Sequence, residues 1–104
     1  MGNNKYRLKI FPLAKLDMEQ IFDYIAIDLC NPTAAIGQIN DFEKAFENIC
    51  TFPESQPFIK NEYVKDKSLR KLVVNNYIAF YRIKEKEIQI VRVLYGMSNY
   101  ENLL

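Results

Sequence analysis

The chain has 104 residues, 49% hydrophobic and 26% charged, with a formal net charge of +1: enough for one domain spanning residues 1–104 and one core, in an ordinary globular composition. No apolar run approaches the ~18 residues of a membrane span, and Met1 to Lys5 holds no apolar signal segment, so a cytoplasmic protein with no membrane partner is expected. Histidine is absent and there are only two cysteines, which removes the commonest general base and leaves no plausible ligand set for zinc or iron; no metal or other cofactor is expected.

The small net charge hides a segregated distribution. Between Asp17 and Glu54 eight acidic residues face one Lys44, a local balance of −7. Residues 1–16 carry four positive charges and no negative one, and residues 60–84 carry seven against Glu62 and Asp66. Such a chain can present a cationic sheet and loop on one side and an acidic helical surface on the other. Charges of both signs merely solvated would give the same counts.

Tyr6 to Phe11 alternates, with Tyr6, Leu8 and Ile10 on one face, and reads as a half-buried strand ended by Pro12. Proline suits a first helical position. The apolar residues that follow, Ala14, Met18, Ile21, Ile25 and Leu29, are spaced four, three, four and four apart, the stripe of a helix of about four turns. Phe22 and Tyr24 widen that stripe. Asn31-Pro32 is the clearest boundary, with Asn capping a second helix and Pro at its first position. This helix runs to about Thr51 on Ala35, Ile39, Phe42, Phe46 and Ile49, and Phe52-Pro53 stops it. So short a connection makes the helices an antiparallel hairpin whose stripe must lie on a sheet. Cys30 and Cys50 then end successive helices about 20 Å or more apart, beyond the ~7 Å between Cα atoms that a disulfide tolerates. Two buried free thiols are expected.

Glu54 to Ser68 is the one long irregular stretch, of the kind that is functional or mobile in compact domains. After it come three strands, Leu69–Val74, Tyr77–Ile83 and Glu87–Leu94, with gaps too short for anything but hairpins. Asn75-Asn76 suits a type I′ turn, and Lys84-Glu85-Lys86 makes the second turn. The last strand, apolar on both faces apart from Gln89 and Arg92, belongs inside the sheet, and Leu69–Val74 at an edge. The expected fold is α+β in the order β-α-α-β-β-β: an antiparallel four-stranded twisted sheet with an αα-hairpin on one face. The other face is partly open, and Tyr77, Tyr81, Arg82 and Arg92 are candidates to emerge there.

This order and the wording of its pieces resemble the RelE/ParE superfamily of toxins from bacterial type II toxin–antitoxin pairs. The resemblance is carried by Tyr6-Arg-Leu, Asp23-Tyr24-Ile25-Ala26, Asn31-Pro32-Thr33-Ala34-Ala35 and Pro53. In the last third it is carried by Leu69 to Val74, Asn76 to Arg82, Ile90 to Gly96, and Asn99-Tyr100. It covers nearly the whole chain. What it implies is a growth-inhibiting toxin, associated with plasmid stabilisation, that a cognate antitoxin neutralises by wrapping its C-terminal segment around it. The acidic hairpin and a sheet edge, the latter by strand addition, are the natural docking surfaces.

Two targets are known within the superfamily, the ribosome with its messenger RNA for RelE-like members and DNA gyrase for ParE-like ones. Cutting RNA through a neighbouring 2′-hydroxyl needs a proton acceptor, a proton donor and cations on the developing charge. RelE-like toxins place arginine after the tyrosine of the middle strand, and arginine or lysine after the glycine that follows the last strand. This chain has Ile78 and Met97-Ser98 at those positions, and Tyr95 where many relatives carry histidine. Ser98 cannot supply an arginine's bidentate phosphate contact. The resemblance therefore leans toward a ParE-like gyrase inhibitor. The alternatives are an attenuated, metal-independent mRNA interferase and a non-toxic antitoxin-binding module. Candidate catalytic residues are Arg70, Arg92, Tyr95, Ser98 and Tyr100; candidate target-binding residues are Lys65, Lys67, Arg70, Tyr81 and Arg82. Each has a plainer reading: Arg70 as the partner of a hairpin carboxylate, Arg92 as a buried structural partner, Tyr95 as core.

Overall fold

A computed structural model describes residues 5–104; the Met1–Asn4 part of the N-terminal stretch considered for a signal lies outside the described residues. Strand β1 (Arg7–Ile10) leads at Pro12 into helix α1 (Pro12–Asp23), which a π-helical turn (Tyr24–Asp28) prolongs. Helix α2 (Pro32–Thr51) starts where Asn31 Oδ1 accepts the Ala34 N–H at 3.1 Å, as the Asn-Pro boundary requires. Strands β2 (Arg70–Val74), β3 (Tyr77–Lys84) and β4 (Glu87–Tyr95) follow, then a 3₁₀ turn at Tyr100–Asn102.

The four strands lie in the order β1-β4-β3-β2, with β4 inside and β2 at an edge. The sheet is mixed rather than wholly antiparallel, because β1 pairs parallel with β4, Arg7 against Glu87 through Ile10 against Ile90. The reason is topological. The helical hairpin returns the chain to the end of the sheet where β1 began, and the Tyr6 N–H donates to the Cys50 carbonyl at 2.9 Å. β2 therefore sets off in the direction of β1, and two hairpins later β4 points that way too. Either edge of the β2-β3-β4 meander would have offered β1 a parallel neighbour.

Phe42, Phe46 and Ile49 of α2 and Ala14 of α1 pack on Leu72, Ala79, Tyr81, Ile88, Ile90 and Val93 of the sheet. Burying one large apolar side chain of this kind contributes about 1.5–3 kcal/mol, so this layer is what holds the hairpin down. The opposite sheet face carries a smaller cluster of Ile78, Phe80 and Leu94, covered by Ile59, Tyr100 and Leu104. Tyr81, an expected surface tyrosine, is fully buried in the helix-side core, and Tyr77 packs against that same core.

Three local expectations change. Only Asn75 of the Asn75-Asn76 pair has positive φ, at 57°, whereas a type I′ turn needs it at both. The π-turn, in which the Leu29 N–H donates to the Tyr24 carbonyl at 3.0 Å, inserts a wider turn and shifts the register after it; Leu29 therefore leaves the apolar stripe and is exposed. Cys30, just beyond, is exposed rather than buried, while Cys50 is buried; both thiols are unbridged.

Candidate functional site at the end of the last strand

β4 carries one extra residue, since Phe80 pairs with Arg92 and Tyr81 with Ile90. A bulge of this kind re-aims the side chains beside it. Here the next residue is Arg92, and its guanidinium meets Asp17 of α1 in a forked contact, Nε to Oδ2 at 2.7 Å and Nη2 to Oδ1 at 2.9 Å. β1 stops pairing at Ile90, and the Val93 N–H donates instead to Asp17 Oδ2 at 2.9 Å. Arg92 Nη1 also donates to the Leu103 carbonyl at 3.2 Å, so one guanidinium joins α1, β4 and the C-terminal turn. The hydrogen bond to Asp17 holds the guanidinium pKa above its ordinary value, against the opposing effect of burial.

The other candidates divide between two faces. Arg70 pairs in register with Tyr81 on the helix-side face, and Arg92 stands opposite Phe80, which faces the other way. The sheet thus keeps these two arginines from forming one phosphate clamp. Arg70 has no hairpin carboxylate: Nη1 donates to the Gln56 carbonyl at 2.7 Å and the guanidinium lies 3.9 Å from the Phe58 ring centroid. Tyr81 donates to the Pro53 carbonyl at 2.7 Å, and burial raises its phenol pKa despite Arg70 nearby. Together these bonds, with the Phe58–Arg70 bridge, pin the long loop against the outer edge of β2.

Arg82 donates through Nε to Gln89 Oε1 at 2.7 Å and through Nη1 to Asp66 Oδ2 at 2.9 Å. Burial pulls the Asp66 carboxyl upward, but hydrogen bonds from the Ser68 side chain and backbone and from Arg82 outweigh it and hold the carboxyl below the usual range. Arg82 and Arg92 share a shallow depression of about 230 Å³ with Phe11, Asp66, Leu103 and Leu104. Lys67 Nζ donates to the Asn61 carbonyl at 3.2 Å, and Lys65 is exposed on the same loop.

At the end of β4, Tyr95 is 52% exposed, not core. Its carbonyl accepts from the Ser98 hydroxyl at 2.7 Å and the Ser98 N–H at 3.0 Å, closing a turn through Gly96 and Met97. A Cβ on Gly96 would lie 3.2 Å from the Asn76 carbonyl oxygen, a tight approach that glycine avoids. Tyr100 is turned away onto Phe80, ring centroids 4.9 Å apart. The geometry therefore joins Tyr95 with Ser98, and Arg82 with Arg92, but gathers no cluster of all the candidates. Among the described residues no group of three or more acids or cysteines is placed to hold a metal ion.

Asp17 did not stand out in the sequence, yet its position was informative. It lies three residues after Ala14 and four before Ile21, on the buried stripe, where a carboxylate needs a cationic partner. Gln38, three after Ala35 and four before Phe42, carries the same signal on α2.

The site therefore sits on an antiparallel meander with β1 parallel beside its last strand, backed by a helical hairpin. The model of the ParE toxin of the type II toxin–antitoxin system parDE matches residues 8–100, and the chain belongs to that family. A chain of the chromosomal ParDE toxin–antitoxin system from P. aeruginosa superimposes with a TM-score of 0.73 at 24% identity, covering 89% of this chain and 98% of that one. A chain of the RelBE2 toxin–antitoxin complex from Mycobacterium tuberculosis superimposes at 0.61 with 17% identity, covering 88% and 98% respectively. At these identities the likeness shows the fold alone. No curated protein matches the chain by sequence.

Proposed function

We propose that this chain inhibits growth by a ParE-like action on DNA gyrase, through protein contact and without cleavage chemistry, and that a cognate antitoxin neutralises it. The observation that carries the reading is the commitment of Arg92 to Asp17, since an arginine spent on a buried carboxylate offers no fork to a phosphate. Ile78, at the position where RelE-like toxins carry arginine, is buried against Phe80 and Leu94, and Met97 and Ser98 supply no cation after Gly96. Gyrase is a cytoplasmic target, and among the described residues no helix is long and apolar enough to cross a membrane.

Purified chain added to a gyrase supercoiling reaction tests the reading: inhibition or trapped gyrase–DNA complexes are expected, together with intact messages in a translating extract. The alternative, ribosome-dependent cleavage, uses Arg70, Arg92 and the exposed Tyr95 in a degenerate site, with Lys65 and Lys67 of the loop as further cations. It expects cut messages, lost on Arg70→Ala. Harmless expression of folded chain without a partner would count against both and favour a non-toxic binding module.

A further inference from the structure

Two rows of side chains cross the sheet where β1 and β4 begin and β3 ends. The pairing sets Arg7, Glu87 and Lys84 in one row and Lys9, Gln89 and Arg82 in the next. The residues that alternate with them, among them Ile10, Ile88, Ile90 and Tyr81, belong to the helix-side core, so both rows stand on the opposite face. Strands ~4.8 Å apart and a two-residue step of ~6.6 Å place the four cationic residues at the corners of a rectangle of about 10 by 7 Å.

The C-terminal turn covers the other end of this face, over Ile78, Phe80 and Leu94. At this end Arg7, Lys9 and Lys84 are exposed, and among the described residues they enter no ion pair. Glu87 stands between Arg7 and Lys84 in register, yet its hydrogen bond is with Gln89, whose Nε2 donates at 2.8 Å. Arg82 holds Gln89 in turn and is itself paired with Asp66. Four cations against Glu87 and Asp66 leave a local charge of +2. The acids of the helical hairpin lie beyond the sheet, about a Debye length or more away at physiological salt. Like charges gathered this closely repel one another, and a repeated anion laid across them removes that cost.

Resting on the gyrase reading, we propose that this face grips the phosphate backbone of the duplex DNA on which gyrase acts, in addition to the contact with the enzyme. Duplex DNA presents one negative charge per ~1.7 Å of its axis, and exposed lysine and arginine heads meet phosphates without any base being read. Phe11, beside the rows, is flanked by Lys9 and Arg82 at 5.6 and 5.5 Å from its centroid. It therefore offers no free platform for an unpaired base to stack on, which favours a duplex over a single strand.

The test measures binding of the full chain to a short, fluorescently labelled DNA duplex by anisotropy as salt is varied, with folding checked by circular dichroism. Phosphates met by Arg7, Lys9 and Lys84 give log affinity a slope of about −3 against log salt. Arg7→Gln, Lys9→Gln and Lys84→Gln are each expected to weaken binding about fivefold and to flatten the slope by about one. Lys44→Gln makes the same charge change on an exposed position of α2 and is expected to stay within about twofold. In a supercoiling reaction the triple variant is expected to need about tenfold more chain than the wild type for equal inhibition. Equal affinity of the wild type and the triple variant, or an equal loss in Lys44→Gln, would overturn the contact, and inhibition that persists undiminished would leave the gyrase reading in place. Tighter binding to a single-stranded RNA of the same length would also overturn it, in favour of RNA as the anion. A wild-type chain that leaves gyrase untouched would instead remove the reading on which the proposal rests.

Discussion

The carboxylate of Asp17 accepts three hydrogen bonds from two consecutive residues of β4: two from the Arg92 guanidinium and one from the Val93 N–H. Asp17 and Arg92 are 8% and 18% exposed, so removing one partner strands the other in the interior. Asp17→Ala is expected to destabilise the fold by about 3–5 kcal/mol. Urea unfolding measures this, and the Asp17→Leu/Arg92→Met pair should lose less than the two single changes summed.

Tyr81 was a candidate contact for a target, but its ring is sealed in the core and its hydroxyl is spent on the Pro53 carbonyl. Tyr81→Phe keeps the packing and removes one hydrogen bond, so a loss of about 0.5–1.5 kcal/mol is expected. Growth inhibition by the variant should equal that of the wild type; a selective loss of toxicity with stability retained would return Tyr81 to the functional surface.

The two thiols should differ sharply in reactivity. Cys30 is exposed beyond the π-turn, and Cys50 is buried with its thiol pKa raised by desolvation, more than Lys5 lowers it. Only thiolate reacts. Titration with an aromatic disulfide reagent at neutral pH is expected to show one fast and one slow group, and Cys30→Ser should abolish the fast one.

Acid should loosen the loop before it melts the core. The Asp66 carboxyl is held below its ordinary value by Ser68 and Arg82. A carboxyl held low in the folded chain contributes stability that is complete above the unfolded value of about 3.9 and is lost as pH falls through the folded one. Protection of the Ser68 amide, whose N–H donates to Asp66 at 3.0 Å, measured against the intrinsic exchange rate at each pH, is expected to fall below about pH 4. Arg82→Leu should bring the onset to higher pH; an onset unaffected by that change would remove Arg82 from the explanation.

Much of the architecture was legible residue by residue. The Asn31-Pro32 start, the Phe52-Pro53 stop, the stripes of both helices and the three closing strands all depend on neighbours within a few positions, and the structure keeps them with shifts of a residue or so. Asp17 and Gln38 also lie on those stripes, where a polar residue signals a buried contact, but neither stood out in the sequence. The target-facing chemistry was harder to read, because an arginine on a strand looks the same whether it points at solvent or at a carboxylate.

What the sequence by itself determined, then, is the kind and order of the elements, since capping, proline geometry and hydrophobic period act locally. Tertiary structure alone decided that β1 runs parallel beside β4, that Tyr81 faces the helices, and that Arg92 is held by a residue 75 positions away. Those outcomes turn on which distant strand edges and charges meet when the hairpin closes over the sheet. A side-chain period of two carries no record of its partner, and one extra residue in β4 is enough to re-aim everything after it.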